Sequence, residues 1–161
     1  PVVAVYDADT LKFTGRYYIL DKALHTRGLP WVAVDNDRGL LITLDHSKKA
    51  NELIFYDIAD NMKYVGSVKL SETVRSIQGA EMYRGMLYAA TNDDTQAVYK
   101  IDPKSGDVSK YFDRNLTKGS EGEGITVLKT ANGAVFHAID MGPLFINAFI
   151  RHYAPVEDGG Q

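Results

Sequence analysis

Ser76–Asp113 reads SIQGAEMYRGMLYAATNDDTQAVYKIDPKSGDVSKYFD, and the way this stretch divides decides the fold. Four short runs rich in apolar and β-forming residues, Gly79–Met82, Met86–Ala90, Ala97–Ile101 and Val108–Phe112, alternate with turn-forming segments at Tyr83–Gly85, Asn92–Thr95 and Pro103–Gly106. Pro103 presets φ for a reversal and Gly106 accepts a positive φ, so the last turn is tight. The segment is predicted to be a four-stranded antiparallel meander.

The rest of the chain repeats it. Upstream, Trp31–Val34, Leu40–Leu44, Leu53–Ile58 and Tyr64–Leu70 give four more strands; downstream, Gly124–Leu128, Ala134–Ala138 and Ala148–Tyr153 give three. Val2–Tyr6 and Leu11–Ile19 form a hairpin about the acidic turn Asp7–Asp9, and Asp21–Gly28 is a connection with at most one helical turn. The turn glycines Gly39, Gly85 and Gly133 recur 46 and 48 residues apart, and the third strands close at Tyr6-Asp7, Tyr56-Asp57 and Ile101-Asp102, 50 and 45 apart. Fourth strands match in pattern: LKFTGRYYI at Leu11–Ile19 and MKYVGSVKL at Met62–Leu70 carry Lys, an aromatic and Gly in register. A period of about 45–50 residues with four strands per unit is the signature of a β-propeller blade; a plain antiparallel sandwich is the competing reading.

The expected architecture is all-β, a propeller segment of four-stranded antiparallel blades. Residues 1–20 supply the outer strands of an incomplete blade, 29–70 and 76–113 are blades, 121–154 is an incomplete blade, and 155–161 is an acidic, Gly-rich tail. That makes about three and a half blades where closed rings have about 4–8, so the chain is expected to be half of a six- or seven-bladed ring. The expected partner is the missing half of the propeller, from a second chain or a second copy.

Composition narrows the function. The net charge is −3 and no Lys or Arg run exceeds Lys48–Lys49, so the basic field that holds a nucleic-acid backbone is missing. No apolar run approaches the roughly 20 residues of a membrane span, and the residues after Pro1 lack the basic and apolar regions of a signal peptide, which leaves a cleaved signal open. The chain has no cysteine, which removes disulfides and thiolate chemistry.

With the blades placed, the sequence resembles the six-bladed propellers of the SMP-30, lactonase and NHL-like group. The matching residues are Trp31-Val32-Ala33-Val34-Asp35, the core strand Gly85–Ala89, the hairpin Val98–Gly106 and Glu123-Gly124-Ile125-Thr126. They cover most of the chain and are generic to propellers, so the resemblance speaks to fold more than to activity. Because the group includes secreted forms, it implies a secreted or extracytoplasmic location, with the cytoplasm left open. It also implies a metal at the propeller axis that polarises a lactone or ester carbonyl while a carboxylate or histidine handles the proton.

In a propeller the first strand of each blade lines the central channel, and the loops entering it and leaving the second strand crowd one face. Aligning the blades on their turn glycines puts Leu29, Gln78 and Glu123 at one equivalent position, and Asp45-His46, Asn92–Asp94 and Asp140 at another. Carboxylate and amide oxygens around a funnel suit Ca²⁺, which takes about six to eight oxygen ligands. Glu123, Asn92 and Asp140 are the expected metal ligands, Gln78, Trp31 and His25 the expected ligand contacts, and Asp45 with His46 the expected catalytic pair. Blander readings stand beside these: loop Asp and Asn as turn formers, Trp31 in inter-blade packing, and His137 as a core histidine of strand Ala134–Ala138. No zinc-type histidine spacing occurs, and Gly119–Gly124 is too acidic to cradle phosphate. Two functions follow: a propeller binding a small molecule or a protein or glycan partner at its funnel, or a Ca²⁺-dependent lactonase or esterase.

Overall fold

The computed structural model describes residues 1–46, 49–131 and 133–154. Strands β1 (Val2–Tyr6) and β2 (Phe13–Ile19) form a hairpin. A four-stranded sheet follows, built from β3 (Ala33–Asp35), β4 (Leu40–Thr43), β5 (Ala50–Asp57) and β6 (Lys63–Val74), and then a second, built from β7 (Ile77–Tyr83), β8 (Met86–Thr91), β9 (Ala97–Ile101) and β10 (Val108–Asp113). A three-stranded sheet of β11 (Glu121–Thr130), β12 (Gly133–Met141) and β13 (Ala148–Tyr153) completes the order. Every pairing is antiparallel between consecutive strands, as short local turns dictate.

Burial separates a propeller from a sandwich. A sandwich sheet buries alternate residues on one face. Here Leu41, Ile54 and Tyr56 pack toward the hairpin while their strand neighbours Ile42, Leu53 and Phe55 pack toward the following sheet, so both faces are covered. One core lies between the two four-stranded sheets, where Trp31, Ile42 and Phe55 meet Ile77, Ala80 and Leu87. A second lies between β7–β10 and β11–β13, where Tyr83 and Tyr88 meet Ile125 and Phe136, with the Tyr88 and Phe136 rings 4.9 Å apart. The first strands converge, with β7 beside both β3 and β11. A Cβ on Gly79 would lie 2.7 Å from the Gly124 Cα, so the absence of a side chain at Gly79 lets these two backbones approach so closely. Sheets stacked face to face with their first strands converging make the chain an arc of a β-propeller.

Some strands run further than the sequence reading expects. β6, expected to stop at Leu70, runs to Val74, and Ser71 beside that point bonds the next blade: its N–H donates to Gly106 O at 2.9 Å and its Oγ accepts from Val108 N at 2.9 Å. β11, expected over Gly124–Leu128, runs from Glu121 to Thr130 on a long ladder with β12. A short 3₁₀ turn at Pro143–Phe145, not foreseen, joins β12 to β13. The expected tail 155–161 lies outside the described residues.

Candidate functional site

In a meander, alternate loops fall at opposite edges of the sheets. The connections β2–β3, β4–β5, β6–β7, β8–β9, β10–β11 and β12–β13 therefore share one edge, and every sequence-predicted site residue lies there or in a strand end beside it. They form two groups.

The first group surrounds the connection 21–28. Asp45 accepts the Thr26 hydroxyl at 2.8 Å and the Arg27 N–H at 2.9 Å, with the Arg27 Nε 3.8 Å away. Burial alone would raise its carboxyl, but the Arg27 N–H, the Thr26 hydroxyl and the Arg27 charge outweigh burial and hold it below the usual carboxylate range. The His46 N–H donates to Gly28 O at 3.0 Å and its side chain is exposed. Both residues line a cleft of about 940 Å³ with Arg27, Lys49 and Tyr64. His25 is buried beneath them, its Nε2 2.7 Å from the Tyr56 hydroxyl, and burial lowers its pKa. The same burial pushes Tyr56 up to about 12. His25 thus fastens the connection to β5 instead of facing a channel mouth. Trp31 is 8 % exposed within the core between the two four-stranded sheets, so its ring is a packing surface there.

The second group lies where β7 and β11 meet. Gln78 falls in the register slip of β7 between Ile77 and Gly79, and Glu123 in that of β11 between Gly122 and Ile125. A bulge re-aims a side chain, and each of these residues precedes one of the two touching glycines, so the fold brings Gln78 and Glu123 to neighbouring strands at one level. Asn92, from the β8–β9 loop, spans the same junction: its Nδ2 donates to Glu121 at 3.1 Å and its Oδ1 accepts from Gly122 N at 3.1 Å. Asp140 is fully buried; one carboxylate oxygen accepts from Arg151 Nε at 2.8 Å and the other has no partner among the described residues. Of the expected calcium ligands, Asn92 and Asp140 therefore each commit an oxygen to a protein donor. Glu123 accepts no hydrogen bond from the described residues, and burial followed by the neighbouring Glu121 raises its pKa against the opposing pull of Arg114.

Arg114 was invisible to sequence reasoning. It is 4 % exposed, its Nε donates to Gln96 O at 2.8 Å, a second nitrogen donates to Thr91 O, and Nη1 is buried without a partner among the described residues. A Cβ on Gly122 would overlap this guanidinium, so Gly122 is what admits it. The junction thus combines a half-buried carboxylate with no donor among the described residues, a neutral amide, a second carboxylate and a buried cation behind them.

No family model and no curated protein matches this sequence. Among solved structures, the chain is similar to hydrazine synthase of Kuenenia stuttgartiensis at 14 % identity, covering 94 % of this chain and 43 % of that one with a TM-score of 0.44. It is similar to the Cps50 (Swd1) β-propeller domain of Myceliophteria thermophila at 16 % identity, covering 87 % and 42 % with a TM-score of 0.45. It is also similar to Sqt1 of Saccharomyces cerevisiae at 12 % identity, covering 88 % and 35 % with a TM-score of 0.44. The chain spans less than half the length of each, and no function is read across from them.

Proposed function

We propose that the chain is one arc of a larger β-propeller that acts as a binding scaffold, and that the β7–β11 junction recognises a cationic group on its small-molecule or protein ligand. The observation that carries this reading is Glu123. Its carboxylate is half-buried, receives no donor from the described residues and is further disfavoured by Glu121. A carboxylate held in that state gains from a ligand ammonium or guanidinium, which supplies the missing donor and offsets the repulsion. Gln78, on the adjacent bulge, presents an amide to the polar part of the same ligand.

Backbone-amide NMR with tri-lysine and tri-glutamate as probes tests it. Tri-lysine is expected to shift Gly122, Gly124 and Asn92, and Glu123→Gln to weaken this at least about tenfold, as loss of a charged hydrogen bond does. Because Glu123 is raised, binding is expected to fall on acidification above the ordinary carboxylate range. Equal shifts with tri-glutamate, or no effect of Glu123→Gln, would overturn the reading.

A further inference from the structure

A different observation, independent of the junction, lies on the outward face of the last sheet. In the β12–β13 ladder His137 is directly opposite His152, and the rings are 4.6 Å apart between centres and inclined at 79°. His137 is half-buried and His152 exposed. Directly opposed residues of an antiparallel pair project from one face with Cβ atoms about 4.5–5.5 Å apart, so backbone register holds the two imidazoles together. The neighbouring ladder positions on that face are Thr126, opposite His137, Leu128 opposite Val135, and Ile139 opposite Ile150; none is charged. Asp140 and Arg151 pair on the other side, toward the preceding blade.

Imidazole nitrogens bind Zn²⁺ at about 2.0–2.1 Å, and two such rings meeting one ion at about 90–110° have centres about 4.5–5 Å apart. The observed separation between ring centres falls in that range. We propose that His137 and His152 form a chelating site for a divalent transition ion of the imidazole-preferring class, Zn²⁺, Ni²⁺ or Cu²⁺. Ca²⁺ and Mg²⁺ want oxygen donors and are not held there. Among the described residues no third His, Asp or Glu completes the set. The site is therefore open in this arc, with coordination positions left for water or for a donor on the blade that would cover this face in the proposed ring, and binds more weakly than a closed four-ligand site. Sequence spacing hid it, because the two histidines are joined across a hairpin and not along one strand.

Calorimetric titration of the full chain with Zn²⁺ at pH 7.5 tests the site. The expected result is one ion per chain, with His137→Gln and His152→Gln each weakening affinity at least about tenfold and His46→Gln leaving it unchanged. Acidification to pH 5 is expected to abolish binding, since imidazole must be neutral to coordinate. Cu²⁺ electron paramagnetic resonance is expected to show coupling to two nitrogens, reduced to one in His152→Gln. His152 is exposed, so its variant reports even if His137→Gln disturbs the sheet. Absence of saturable binding below millimolar Zn²⁺, or binding that survives His152→Gln, would overturn the proposal.

Discussion

His25 shows what a single buried polar side chain does to this fold. Burial is the largest influence on its pKa and lowers it from 6.5, the value it takes when unfolded. Below about pH 6.5 the unfolded chain therefore takes up a proton that the native site resists, so stability falls as the pH drops through that window. Denaturant midpoints at pH 7.5, 6.5 and 5.5 are expected to decline more steeply in the native chain than in His25→Gln, which can still reach the Tyr56 hydroxyl; parallel declines would rule out His25 as the source. The equivalence of Gln78 and Glu123 was legible at this scale, because glycine spacing aligns the blades. The burial of His25 was not, since it depends on how connection 21–28 folds back over β5. Arg114 escaped for the same reason: nothing local marks a cation in the β10–β11 connection that will be closed over by Gly122 of β11.

At the scale of elements, the period of the repeat is written in local chemistry and was read correctly strand by strand: short apolar runs, turn glycines and Asp-initiated reversals. What local chemistry does not carry is where an outer strand stops, because that is decided by the neighbouring blade. Gly106 shows the difference. Its φ of +82° suits glycine, and a Cβ there would meet the Lys69 carbonyl oxygen of β6 at 2.0 Å, so the β9–β10 turn fits against the adjacent sheet only without a side chain. Gly106→Ala combines a left-handed backbone cost with overpacking and is expected to destabilise by about 2–4 kcal/mol. Urea unfolding measures this. A loss under about 1 kcal/mol, the scale of an ordinary exposed-turn substitution, would show that the two blades are not locked at this point.

At the scale of the whole molecule, the arc has two ends, and both present apolar sheet faces to solvent. On the hairpin, Val2, Tyr6, Phe13, Tyr17 and Ile19 face away from the blades, with Ile19 75 % exposed; on the last sheet Leu128, Ile139 and Ile150 do the same, with Ile150 67 % exposed. The middle blades show what such faces are for, since each is covered on both sides by a neighbour. Blades bury their faces only by stacking, and soluble monomers rarely leave contiguous apolar patches larger than a few hundred Å². The proposed larger propeller therefore predicts that the 161-residue chain self-associates at micromolar concentrations and binds a hydrophobic dye. Light scattering is expected to give a mass above 17.8 kDa. Replacing Ile19 and Ile150 together by Asp is expected to return it to the monomer with the blades still folded by circular dichroism. If the native chain is a dye-silent monomer, its end faces need no further blades and the proposed ring is wrong, whereas the β7–β11 junction, which lies wholly within the arc, would keep its own test.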